Sequence, residues 1–297
     1  MKSTEFRGII SYPVTPFDLH DGSVDVPTLN QLIDRLVDSG SHGIAPLGST
    51  GESAYLSDDE WDTVAEASVR RVAKRLPVIV GISDLTTRNA VRRAKFAESV
   101  GADAVMVLPV SYWKLNEAEI FRHYATIAEA ISVPIMVYNN PATSGIDMQP
   151  ELIVKLAREI DNVTMIKEST GDIQRMHRIA QLSDGRVPFF NGSNPLALGA
   201  FAAGAAGWCT AAPNLVPQWP VKLYEACEKG DMELARAVFY RLLPFLQCIM
   251  KGGLPTTVKA GLALRGFSVG APRRPLQPLA EPAVRELAAA LGGLEGG

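Results

Sequence analysis

Lys167 directly follows the apolar run NVTMI, at the end of a predicted strand. A lysine there is costly unless it is used. In a confined apolar pocket the neutral amine gains over the ammonium, and the neutral amine is the form that attacks a carbonyl. The competing role is a rim lysine paired to a carboxylate such as Glu168, but successive strand residues face opposite ways and Glu168 is poorly placed for it. Tyr138, in VYNNPATSG, puts a phenol at the end of another predicted strand. Beside an amine, that phenol relays protons as a carbinolamine forms and breaks down; otherwise it only fills space. In PLGSTGES, Gly48 and Gly51 flank Ser49 and Thr50. Glycines of this kind allow close backbone approach, so amides and hydroxyls can hold a small carboxylate, although a plain turn with capping hydroxyls reads the same way. No Gly-Lys-Ser/Thr follows, so this is not a nucleotide phosphate loop.

The elements that must position these groups form a rhythm. Short apolar segments rich in Val and Ile are predicted as strands at 8–11, 43–45, 78–82, 104–108, 135–138, 163–166, 187–191 and 207–210. They alternate with amphipathic stretches such as VPTLNQLIDRLVDSG and NEAEIFRHYATIAEAI, which begin near Asn, Asp, Thr or Pro and often end at Gly. Continuous rather than alternating apolarity fits strands covered on both faces. Eight such units predict an α/β fold, a (β/α)8 TIM barrel. An open dinucleotide-binding sheet would carry GxGxxG after its first strand, where this chain reads SYPVTPFD. Residues 1–229 are read as the barrel and 230–297 as a C-terminal helical appendage, because DMELARAVFYRLLPFLQCIM and EPAVRELAAALGGL have helical spacing with no strand between them. In such barrels the working residues sit at the C-terminal ends of the strands. Lys167, Tyr138 and the Ser49–Thr50 pair therefore converge on one mouth.

A chain of 297 residues, 47% hydrophobic, has enough apolar material for one barrel of about 250 residues with an addition. Its net charge of -3 leaves no basic surplus for nucleic acid. No apolar run reaches the length of a membrane span, and Pro13 and Pro16 interrupt the N-terminus before any signal-like stretch, so a cytoplasmic protein is expected. Cys209, Cys227 and Cys248 show neither disulfide nor zinc spacing, and His20, His42, His123 and His177 form no metal motif. No metal or cofactor is expected.

The segments GSTGE at 48–52, YNNP at 138–141 and IKEST at 166–170 resemble the dihydrodipicolinate synthase and N-acetylneuraminate lyase family of Schiff-base aldolases. The resemblance runs from PVTPF through NGSNPLALGAFAAGAAGWCTAAPN to PTTVKAGLALRG, nearly the whole chain. It implies that Lys167 forms an imine with pyruvate or another 2-oxo acid, that Tyr138 shuttles protons, and that Ser49 and Thr50 bind the keto-acid carboxylate. It further implies backbone support from Gly192, a pocket lined by Cys209, and a homo-oligomer, tetramer or dimer.

Two departures bear on the second substrate. Where the synthase carries an arginine after YNxP to clamp the aldehyde's carboxylate, PATSG places Thr143, which lacks a guanidinium fork. The synthase's tyrosine pair is replaced by PVSYWKLNE, in which Tyr112 stands, in a shifted register, for a relay tyrosine contributed across a subunit interface. These departures favour another 2-oxo acid aldolase or hydro-lyase over the synthase reaction with aspartate semialdehyde. Trp113, Thr143, Ser144 and Trp208 are the candidate specificity positions, with packing the other role for Trp208. A non-catalytic keto-acid-binding relative is the alternative from a different class.

Overall fold

A computed structural model describes residues 6–295. Eight parallel strands, β1 (Gly8–Ser11), β2 (Gly43–Ile44), β3 (Ile79–Gly81), β4 (Ala104–Val107), β5 (Ile135–Asn139), β6 (Val163–Glu168), β7 (Phe189–Asn191) and β8 (Gly207–Thr210), run in the order β2-β1-β8-β7-β6-β5-β4-β3. A bridge between Ile44 and Val78 brings the two ends of that sheet together. Helices lie between the strands, so the fold is a (β/α)8 barrel with further helices after β8.

Local chemistry explains the helix boundaries. Ser57 and Asn116 open their helices with reciprocal capping boxes to Glu60 and Glu119, while Asp25 and Thr86 accept from the backbone amides three residues on. The strands are buried on both faces and divide their side chains by parity. Ile10, Tyr12, Met106, Met136, Tyr138, Met165, Phe190 and Cys209 fill the barrel interior. Ile9, Val105, Val107, Val137 and Ile166 pack outward against the helices.

Two boundaries differ from the sequence reading in ways that matter. β6 runs two residues past 166, because its ladder continues to β5 and β7, pairing Lys167 with Tyr138 and Phe190 and Glu168 with Asn139 and Asn191. Lys167 is thus part of the strand and shares Met165's inward parity. β2, in contrast, has only two residues. Its chain instead crosses to β3 through Ile44 N donating to Pro77 O at 3.0 Å and Gly81 N to Pro46 O at 3.1 Å.

After β8 come helices Gln218–Glu228, Met232–Lys251, Leu254–Leu264 and Glu281–Glu295. The third leans on the turn Ser49–Gly51, so the last part of the chain contributes to the wall around the barrel mouth. Among the described residues, no helix is long and apolar enough to cross a membrane.

The β2–β3 seam depends on one glycine. A Cβ at Gly81 would lie 2.2 Å from the carbonyl oxygen of Leu47, which itself takes a left-handed φ of 61°. Gly81→Ala is expected to lower unfolding free energy by roughly 3 kcal/mol, the upper range for overpacking, because backbone rather than a flexible side chain must move. Denaturant titration of the two proteins checks this.

Candidate active site

Lys167 is 5% exposed at the mouth end of β6. Its Nζ lies 3.8 Å from the ring centre of Tyr138 and 4.1 Å from that of Tyr12. Among the described residues no carboxylate pairs with it. Glu168 faces the other way and is fully committed. It accepts from Asn139 Nδ2 at 3.1 Å and from the backbone amide of Thr170 at 2.7 Å, and it lies 3.5 Å from Arg175 Nε. The rim-lysine reading is therefore not the arrangement found: the carboxylate adjacent in sequence is held on the opposite face.

Small residues leave the amine its room. A Cβ at Gly192 would come within 2.8 Å of Lys167 Cε and closer still to Ser169 Oγ. The Tyr138 hydroxyl accepts from Asn140 Nδ2 at 2.8 Å, which leaves its own proton free to donate. Cys209, on β8, is buried in the same interior cluster, and burial pushes its thiol up, so it is a neutral lining group.

The glycine-flanked loop forms a single tight turn, Ser49–Gly51, with Thr50 buried and Ser49 half-buried. Thr15 Oγ1 donates to Gly51 O at 2.7 Å. Gly48 lies against one edge of the Tyr12 ring, where a Cβ would be 2.8 Å from a ring carbon. The loop thus reaches Lys167 by way of Tyr12.

Other expected residues lie outside this cluster. Thr143 is exposed on the short helix Pro141–Ser144 that follows β5. Ser144 Oγ is occupied by Asn140 O and Ile146 O, each at 3.2 Å. Tyr112 is 90% exposed and Trp113 78%, packed edge to face on each other 6.1 Å apart. Trp208 is fully buried in the outer layer, its Nε1 donating to Asn194 Oδ1 at 3.2 Å. Its parity is opposite to that of Cys209, so it packs between barrel and helices and does not line the mouth. Among the described residues no group of three or more His, Cys, Asp and Glu is arranged to hold a metal ion.

The model of the dihydrodipicolinate synthetase family matches residues 5–293. The chain belongs to that family. It is accordingly an enzyme of the class that forms a Schiff base with pyruvate or a related 2-oxo acid and acts as a lyase or aldolase. A protein of Bartonella bacilliformis named 4-hydroxy-tetrahydrodipicolinate synthase is 36% identical over 285 residues, 96% of this chain and 97% of that one. A crystal structure from Pseudomonas aeruginosa, provisionally named a dihydrodipicolinate synthetase, is 61% identical with a TM-score of 0.96, covering 98% and 99% of the two chains. The dihydrodipicolinate synthase of Aquifex aeolicus superposes with a TM-score of 0.93 at 31% identity, over 98% of each chain.

Three features at the family's barrel mouth escaped the sequence reading. Tyr12 stood in SYPVTPFD, noticed there only for lacking glycines, yet it shares the parity of the buried Ile10 and so had to point inward. Ser169, two residues beyond Lys167 on the same side, has a buried Oγ with no hydrogen-bond partner. Glu52, last of GSTGE, takes a left-handed φ of 57° and turns its carboxylate inside, where Lys259 Nζ lies 2.7 Å away and Arg273 N donates at 2.6 Å. Lys259 is 3% exposed, and desolvation holds its ammonium below the usual lysine range against the opposing pull of Glu52. Phe17 presents its ring face to both cations, 4.0 Å from Lys259 Nζ and 4.2 Å from Arg273 Cζ. This buried pair fastens the helix Leu254–Leu264 to the turn that carries Ser49 and Thr50.

Lys259→Met would strand the Glu52 carboxylate away from water, and a cost of about 3–5 kcal/mol is expected. Adding Glu52→Gln to it should restore part of that loss. Unfolding free energies of the wild type, the single variant and the pair of changes together test the assignment.

Proposed function

We propose that Lys167 is the nucleophile that forms the imine with the 2-oxo acid, and that Tyr138 moves the protons this requires. The observation that carries this reading is a buried amine with no carboxylate partner among the described residues, 3.8 Å from the ring of a phenol whose hydroxyl proton is free. The adjoining turn would take the substrate's carboxylate on Ser49 and Thr50, and Gly192 would support the bound keto acid from its backbone. Cys209 closes the pocket as a neutral, buried side chain. In the imine, the cationic nitrogen takes up the electron pair left when a bond breaks at the carbon next to the imine carbon, which gives an enamine. That chemistry serves carbon–carbon cleavage, condensation or dehydration alike.

For the second substrate, the absence of an arginine at Thr143 argues against a carboxylated aldehyde of the aspartate semialdehyde type. The favoured class is a hydroxylated 2-oxo acid that is cleaved or dehydrated, with Thr143 a neutral contact at the rim. The synthase reaction is the second reading, supported by the name of the Bartonella bacilliformis relative. Tyr112 is proposed to act in a neighbouring copy of the chain, within a homodimer or a tetramer built from dimers. Its exposure beside Trp113 supports this, since two large aromatic rings facing water suit burial against a partner. Three unpaired cysteines are compatible with work in the reducing cytoplasm.

Incubation with pyruvate and borohydride is expected to add the mass of a reduced pyruvyl group at Lys167, and Lys167→Ala should abolish it. Tyr138→Phe is expected to lower kcat by about a hundredfold or more while the adduct still forms slowly. A turnover screen across hydroxylated 2-oxo acids, run beside a coupled assay with pyruvate and aspartate semialdehyde, separates the two readings of the second substrate. Efficient turnover of the semialdehyde would overturn the role given to Thr143.

A further inference from the structure

Tyr12 is a second phenol at the reacting nitrogen, and the imine chemistry assigned to Lys167 and Tyr138 leaves it unused. It follows β1, whereas Tyr138 is the penultimate residue of β5, so the two rings reach Lys167 Nζ from opposite sides of an eight-stranded barrel. Four contacts fix where the Tyr12 ring stands. Its backbone amide donates to Thr210 O at 3.0 Å, and its carbonyl accepts from Asn214 Nδ2 at 2.8 Å. Gly48 covers one edge of the ring, and the hydroxyl donates to Met106 Sδ at 3.1 Å on β4.

That hydroxyl is badly served. A thioether is a weak acceptor, and burial together with the neighbouring Cys209 thiol pushes the phenol well above its usual range. Tyr12 therefore stays protonated and does not act as a base. If the position needed only volume, an aliphatic side chain would fill it without burying a hydroxyl on sulfur. What the ring offers the site is its face, and what meets that face is the nitrogen 4.1 Å away.

A protonated Schiff base keeps its positive charge. The neutral amine, a ketone and one proton become iminium and water: the nitrogen lone pair forms the first bond to carbon, one N–H proton and the added proton go to the carbonyl oxygen, which departs as water, and the freed N–H electron pair closes the second bond. The carbinolamine that precedes the iminium is neutral. An aromatic face attracts a cation through its quadrupole and has no such attraction for the neutral adduct.

We propose that Tyr12 is a residue of the reacting centre, whose ring face joins that of Tyr138 in holding the cationic nitrogen of Lys167 and favours the iminium over the carbinolamine. This rests on the imine role of Lys167 given above. It assigns the aromatic face, and not the hydroxyl, as the working part of Tyr12.

The test replaces the ring without changing its shape. Tyr12→Phe, Tyr12→fluorophenylalanine and Tyr12→trifluorophenylalanine weaken the quadrupole in steps while the packing stays nearly constant, and Tyr12→Leu removes it. The fraction of each protein trapped by borohydride is measured at graded pyruvate concentrations by intact mass. Tyr12→Phe is expected to trap like wild type. The fluorinated series should need stepwise more pyruvate for half-trapping, reaching about fivefold at the trifluorinated ring, and Tyr12→Leu should need at least as much. Equal half-trapping concentrations across the phenylalanine series, with a normal adduct in wild type, would overturn the role of Tyr12 and leave the imine at Lys167 standing. A wild-type protein that traps no pyruvate at all would overturn both.

Discussion

Alternation along a single strand governs this active site. On β6, Met165 and Lys167 face the barrel interior while Ile166 and Glu168 face the helices. The only charge adjacent to the lysine in sequence is thereby sent to the other side of the sheet. There Asn139, the Thr170 amide and Arg175 meet its oxygens, so it is satisfied where it is. A slip of one residue in the register of β6 would put a carboxylate in the mouth and the amine among the helices. The pairing of Tyr138 with Lys167 and of Asn139 with Glu168 locks that register.

Around the amine, space is made by what is missing. Gly192 and Gly48 carry no Cβ at the two places where one would strike Lys167 or Tyr12. The remaining walls are stiff. Tyr12 is pinned through its backbone to Thr210 and Asn214, and Tyr138 through its hydroxyl to Asn140. Such a pocket confines the nitrogen of a flexible four-carbon side chain to a narrow range of positions.

The helices after β8 take part in this rigidity. The Lys259–Glu52 pair, sealed by Phe17 and Arg273, ties the helix Leu254–Leu264 to the turn at Ser49–Gly51. An isolated turn with two glycines would sample many shapes. Fastened at its last residue by a buried charge pair, it keeps Thr50 buried and Ser49 half-open.

The eight-unit rhythm was legible in the sequence because strand and helix periods, caps and glycine stops are properties of neighbouring residues. The placing of Lys167 and Tyr138 at one mouth was legible for the same reason: each closes an apolar run, and barrel geometry sends strand ends to one mouth. The opposite facing of Glu168 followed from strand parity alone. Contacts between distant segments decided the rest. That Tyr12 touches the amine and that Lys259 reaches Glu52 depend on which segments meet when the barrel closes. The exposure of Tyr112 and Trp113 depends on what covers a loop. No local period encodes these meetings, because they join groups far apart in the chain that come together only when the barrel closes.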